Sequence, residues 1–231
     1  MNIVMIAGFW LDGDSWGDVT PALTAAGHTV HTPTLPGKRP GDTDLSGIGL
    51  RTHVDAVLEI VDAVDGPVVL VGHSGGGSVA WAVADARPDA VARVVFVDAL
   101  PFPAGSAIND ELPVEGDGVP LPDWGFFEAE DLVDLTDELR DRFRAIAKPE
   151  PAGVAVEPQQ LGNESRFSVP VTVIACEFTE ATIRAAITGG APWASELASL
   201  ASLDIVELPT GHWPQFTKPV ELAHAILAAV D

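Results

Sequence analysis

Pro67-Val68-Val69-Leu70-Val71-Gly72-His73-Ser74-Gly75-Gly76-Gly77-Ser78-Val79-Ala80-Trp81-Ala82-Val83-Ala84-Asp85-Ala86 decides how this chain folds. The first five residues form a short apolar run of strand length, and the last ten are compatible with a helix. Between them stands G-x-S-x-G, from Gly72 to Gly76. A serine squeezed between strand and helix sits on a sharp turn, usually at an unfavourable backbone angle, with its hydroxyl held out of the sheet. Glycines two positions either side leave room for strand and helix to close on that turn. Ser74 is therefore the candidate nucleophile, on strand–motif–helix context rather than on the bare pattern.

A serine nucleophile needs a base, and the end of the chain offers one. Leu203-Asp204-Ile205-Val206-Glu207-Leu208 reads as the last strand, and Pro209-Thr210-Gly211-His212-Trp213-Pro214 as the loop after it. Pro219 opens a final helix through about Ala229, because proline is favoured at a first helical position. His212 thus lies just past the C-terminal end of a strand, where α/β sheets place their chemistry. His28, His31, His53, His73 and His224 read as structural or surface residues by their positions.

With the elbow, the late Gly211-His212-Trp213 and the first loop Ala7-Gly8-Phe9-Trp10-Leu11-Asp12-Gly13-Asp14-Ser15-Trp16, the chain resembles a small member of the α/β-hydrolase superfamily. In layout it is similar to the esterase and hydroxynitrile-lyase-like branch, whose first loop resembles HGAWH-x-x-W. The family histidine before the first glycine is Ala7 here, so that position carries nothing. The resemblance covers nearly everything outside about 100–168. It implies an oxyanion hole built from the backbone N–H groups of Phe9 and Gly75, with Trp10 as the donor if the loop is shifted by one residue. Two fixed donors stabilise the negative oxygen formed in acyl transfer, and losing one such donor costs about 100–1,000-fold in rate.

The acid has three candidates. The family most often carries it after the strand Val171-Thr172-Val173-Ile174-Ala175-Cys176, where Thr179 takes the matching position, flanked by Glu177 and Glu180. The superfamily's other placement follows the strand Ala92-Arg93-Val94-Val95-Phe96-Val97, which ends in Asp98. An aspartate at the tip of a buried strand is poised to accept the histidine's second N–H, so Asp98 is preferred, with Glu180 and Glu177 as alternatives.

Apolar strands alternating with helical stretches predict an α/β fold: about six mostly parallel strands, helices on both faces and a small cap insertion. The expected division is a core of 1–99 and 169–231, with 100–168 as cap. That insertion is rich in proline and acidic residues and contains a helical stretch from Glu128 to Ile146. Phe102, Trp124, Phe126 and Phe127 from the cap, with Trp10 and Trp213 from the core loops, are the candidate lining of a fairly apolar pocket. Lys38-Arg39 is the densest basic spot and reads as solvated.

With 34 acidic residues against 12 basic, the net charge is −22, which disfavours nucleic acid and anionic membranes as partners. The single cysteine, Cys176, rules out an internal disulfide and has no metal-ligand spacing. No basic region precedes the first apolar stretch, and the expected location is cytoplasmic. The expected activity is a serine hydrolase cleaving a small, fairly apolar ester through an acyl-enzyme, with no metal or organic cofactor. A lactonase or other cyclic-ester hydrolase, a hydroxynitrile-lyase-like C–C lyase and a non-catalytic small-molecule receptor are the alternatives. The oligomeric state is left open.

Overall fold

A computed structural model describes residues 1–230. Its strands are β1 (Asn2–Ile6), β2 (Thr29–His31), β3 (Val68–His73), β4 (Val91–Val97), β5 (Gly118–Val119), β6 (Glu150–Pro151), β7 (Val171–Ala175) and β8 (Leu203–Glu207). Six of them make one sheet in the order β2-β1-β3-β4-β7-β8, every neighbouring pair parallel. β5 and β6 form a separate antiparallel pair. The helices are α1 (Thr20–Ala25), α2 (Leu50–Ala63), α3 (Gly75–Ala86), α4 (Asp137–Ile146), α5 (Ala152–Val156), α6 (Glu180–Gly189), α7 (Ser195–Ser199), α8 (Pro214–Thr217) and α9 (Pro219–Val230).

The central strands are apolar along most of their length, Arg93 of β4, Thr172 of β7 and His73 at the end of β3 apart, because both faces of the sheet are covered. Alternate side chains sort onto the two faces. Ile3, Met5, Val69, Val71, Val95 and Val97 pack with Leu23 of α1 and Leu222 and Ile226 of α9. Val4, Ile6, Leu70, Phe96 and Val173 pack on the other side with Val54 and Val57 of α2 and Val79 and Val83 of α3. Each such fully buried side chain contributes roughly 1.5–3 kcal/mol.

Strand order reverses between β1 and β3, since the chain runs from β1 outward to β2 and then returns to β1's other side. The crevice at the carboxyl ends of strands flanking such a reversal is where open α/β sheets bind ligands. The loops after β1 and β3 meet there, and Gly72 and Gly76 allow it. A Cβ on Gly76 would lie 2.5 Å from the Ile6 carbonyl oxygen, and one on Gly72 2.6 Å from the Gly76 oxygen.

One predicted element is shorter than its sequence suggests. The helix expected from Glu128 forms only over Asp137–Ile146, starting at Thr136, whose hydroxyl caps the Leu139 N–H at 3.4 Å. Upstream, the Asp131 and Val133 carbonyls accept the His212 and Gly211 amides at 2.9 and 3.1 Å, and Asp134 sits at φ 63°. Tertiary hydrogen bonds to the loop after β8 replace helical ones. No helix among the described residues is long and apolar enough to cross a membrane.

Candidate active site

β3 delivers Ser74 to the mouth of the crevice at φ 50°, ψ −127°, in the left-handed region that side chains rarely adopt. Asp98, at the tip of β4, has φ 42°, and Trp10, in the loop after β1, φ 63°. Backbone strain of this kind costs on the order of 1–3 kcal/mol per residue and persists only where the surroundings enforce it. Here the three strained residues line a single cavity.

His212 links the other two polar groups. Its Nδ1 lies 2.7 Å from Asp98 Oδ2 and its Nε2 2.9 Å from Ser74 Oγ. An ionised carboxylate only accepts, so Nδ1 carries the proton and Nε2 accepts from the serine hydroxyl. Asp98 is held in turn by the far strand: its Oδ1 accepts the Cys176 and Glu177 amides at 3.0 and 3.1 Å. Burial raises the Asp98 pKa, but the bonds from His212 and these amides outweigh it and hold the carboxyl below its ordinary value. The opposite balance applies to His212. Burial disfavours the imidazolium, yet Asp98 and Glu177 lift its pKa above the ordinary value.

His73, the variable residue of the elbow motif, is wholly buried beneath the imidazole. Its Nε2–H donates to the His212 carbonyl oxygen at 2.7 Å, while its Nδ1 accepts from the Gln215 amide at 3.3 Å. Burial, reinforced by the His212 charge, pushes its pKa down to about 3, so the ring stays neutral and fixes the loop that carries His212.

The two alternative acids fare differently. Glu180 begins α6 at the surface and pairs with Arg184 at 2.6 Å. Thr179, at the family's usual acid position, caps that helix by accepting the Thr182 N–H at 3.1 Å. Glu177 is brought in: its Oε2 is 3.6 Å from His212 Nδ1, while its Oε1 is buried without a donor among the described residues. Burial, with the Asp131 and Asp98 carboxylates beside it, pushes Glu177 up to about 7 against the pull of His212. Asp98, Glu177 and His212 are also the one group of potential metal donors among the described residues. Both Asp98 oxygens and His212 Nδ1 are already committed to hydrogen bonds.

The loop after β1 packs directly on the elbow: a Cβ at Gly8 would lie 2.9 Å from Ser74 Cβ. The Trp10 amide donates to Glu150 Oε2 at 3.2 Å, so it is not free for a substrate oxygen. The Phe9 and Gly75 amides have no acceptor among the described residues. Lys38, expected at the surface, is buried: its Nζ lies 2.5 Å from Glu150 Oε2 and donates to the Gly8 and Leu11 carbonyls at 3.1 Å each. Burial pushes the Glu150 carboxyl up, and the Lys38 ammonium and Trp10 N–H act against it.

The cavity above Ser74 has a volume of about 710 Å³. Of the six candidate lining residues, Trp10, Phe102, Phe126 and Phe127 border it, joined by Ile108, Phe178 and Trp193, for which only Phe178 had a signal, its place just past β7. Trp124 and Trp213 do not line it. They pack behind Phe127, Trp124 edge-on to Trp213 at 6.0 Å and Trp213 edge-on to Phe127 at 5.2 Å, between the stretch joining β4 to β7 and the loop after β8.

A model described as "Alpha/beta hydrolase family" matches residues 3–225. A pyrethroid hydrolase of Sphingobium wenxiniae is 28% identical over 252 residues, covering 100% of this chain and 88% of that protein. Among solved structures, an extracellular alpha/beta-hydrolase from a Paenibacillus species superposes with a TM-score of 0.78 at 22% identity, covering 99% of this chain and 98% of that one. A methylesterase from Arabidopsis does so with a TM-score of 0.76 at 19% identity, covering 100% and 98%. These two structural likenesses speak for the fold, and the match over residues 3–225 goes further: the chain belongs to the alpha/beta hydrolase family.

Proposed function

We propose that this protein is a serine esterase acting on small, largely apolar esters, with Ser74, His212 and Asp98 as its triad. The observation that carries the reading is the His212 ring, within hydrogen-bond reach of both Ser74 Oγ (2.9 Å) and Asp98 Oδ2 (2.7 Å) at the floor of the cavity. His212 Nε2 takes the Ser74 proton as Oγ attacks the ester carbonyl carbon. The carbonyl oxygen becomes an oxyanion held by the Phe9 and Gly75 amides, the latter at the N-terminus of α3. As the oxyanion collapses, the C–O bond to the alcohol breaks and His212 returns the proton to the leaving oxygen. Water, deprotonated by His212, then hydrolyses the acyl-Ser74 ester. Asp98 keeps the tautomer and stabilises the imidazolium.

Residues 100–168 act as the cap, placing Phe102, Ile108, Phe126 and Phe127 around the bound acyl or alcohol group. Relatives named as a pyrethroid hydrolase and as esterases support hydrolysis of an ester. A lyase mechanism with a lysine beside the serine has less support, because Lys148 pairs with Asp12 and does not line the cavity.

The test is hydrolysis of short-chain p-nitrophenyl esters and of a small lactone by wild type, Ser74→Ala, Asp98→Asn and Glu180→Gln. The expected result is loss of the nitrophenolate burst in Ser74→Ala and a fall of about 10,000-fold in Asp98→Asn, the size seen when a triad aspartate is replaced. Glu180→Gln stays near wild type. Turnover that survives Ser74→Ala overturns the reading, and turnover of the lactone alone moves the substrate class to cyclic esters.

A further inference from the structure

The loop after β1 is gripped at successive peptide groups by two segments distant in sequence. Lys38 Nζ donates to Gly8 O and Leu11 O, each at 3.1 Å. Glu150 Oε2 accepts the Trp10 amide at 3.2 Å, and the Lys148 amide donates to the Trp10 carbonyl at 2.9 Å. Lys38 and Glu150 are themselves paired at 2.5 Å, with both side chains almost wholly buried. His53 closes the far side of Glu150 without donating to it. Its Nε2–H goes to the Pro36 carbonyl at 2.8 Å, and its Nδ1 stands 3.9 Å from Glu150 Oε1, which has no donor among the described residues.

The position of the Lys38 contact matters. Gly8 O and the Phe9 N–H belong to the same peptide unit, which is planar and trans, so the two bonds point in opposite directions. A cation fixed on Gly8 O therefore aims the Phe9 N–H away from itself. It also polarises the unit, which strengthens the N–H as a donor. Glu150 fixes the next unit as well, accepting the Trp10 N–H where Trp10 holds φ 63°, so the peptides on both sides of Phe9 are pinned by one ion pair. A buried ion pair is a weak stabiliser, since desolvation offsets most of its attraction and an apolar pair of similar volume is often as stable. Bulk stability is thus a poor reason for this pair to sit here, on the backbone of this loop.

We infer that Lys38, anchored by Glu150, is a positioning residue of the oxyanion hole, aiming the Phe9 N–H through the Gly8 carbonyl. The inference rests on the esterase reading of the site. It makes the cap part of the catalytic geometry, because Glu150 and Lys148 come from the stretch between β4 and β7.

The experiment compares wild type, the balanced double variant Lys38→Met/Glu150→Leu and the single variant Glu150→Gln. It measures kcat and KM on p-nitrophenyl acetate, inhibition by phenylboronic acid, and thermal melting. Phenylboronic acid accepts Ser74 Oγ at boron and places a tetrahedral oxygen in the hole. In the double variant kcat is expected to fall about 10–100-fold, below the full loss of a donor. KM should stay within about threefold, and boronate affinity should weaken in step with kcat. Glu150→Gln retains an acceptor for the Trp10 N–H and should lose less, about 3–10-fold in kcat. A folded double variant with wild-type kcat and boronate affinity overturns the inference while leaving the esterase reading intact. If the double variant does not fold, Glu150→Gln decides: lower melting with unchanged kcat makes the pair merely structural. Wild-type turnover indifferent to Ser74→Ala would instead remove the reading beneath it.

Discussion

His212 faces two carboxylates, and they hold it differently. Asp98 makes the short bond to Nδ1 at 2.7 Å, whereas Glu177 approaches the same nitrogen at 3.6 Å and has its own pKa raised to about 7 by burial and its acidic neighbours. Both favour the imidazolium, so both raise the pH at which His212 becomes a free base. Glu177→Gln removes one of them and lowers the His212 pKa. The acid limb of the kcat/KM profile should then move to lower pH, by up to about one unit, with the alkaline side little changed. A limb that stays put or moves upward would show that Glu177 does not act on His212. Ser74 and His212 were legible in the sequence because each lies in a loop directly after an apolar strand. Asp98 was preferred over Glu177 and Glu180 for the same reason, its place at a strand tip, but nothing local announced that the Cys176 and Glu177 amides donate to it. Lys38 was misread as solvated. Its partners, the Gly8 and Leu11 carbonyls and Glu150, are backbone groups and a distant side chain, and no local pattern announces them.

Among the elements, the stretch between β4 and β7 was hardest to read, for a related reason. Its residues answer to the core rather than to their neighbours, as the Asp131 and Val133 carbonyls show by accepting amides from the His212 loop. The six-strand sheet, by contrast, was legible from alternating apolar runs and helices, since parallel strands buried on both faces carry their pattern locally. The aromatic residues of this stretch and of the His212 loop form two layers. Trp213, 2% exposed, stacks with Phe127 and with Phe143 at 5.3 Å, and Phe126, 51% exposed, lines the cavity. Trp213→Ala should cost about 3–5 kcal/mol, visible as a melting point lower by roughly 10 °C. Phe126→Ala should leave melting within about 2 °C and raise KM for the larger p-nitrophenyl esters. Calorimetry and kinetics on the pair separate the layers, and a large stability loss from Phe126→Ala would merge them.

The whole molecule carries a charge of −22 on 231 residues. Like charges at that density repel one another most in the compact state, and added salt screens them over a Debye length of about 10 Å at 0.1 M. Raising sodium chloride from 10 mM to 0.5 M should therefore raise the melting point by several degrees, a shift of about 1 kcal/mol being worth roughly 2–4 °C at this size. A melting point that falls with salt would mean that attractive pairs such as Arg166 with Glu196 and Asp85 outweigh the repulsion. The positive φ of Ser74 has a different consequence, for endurance. Glycine adopts that angle freely, so Ser74→Gly should outlast the native chain on heating while hydrolysing nothing, a comparison that differential scanning calorimetry can make directly. At this one backbone angle, endurance and catalysis are then opposed, and the chain that can react is the one that melts sooner.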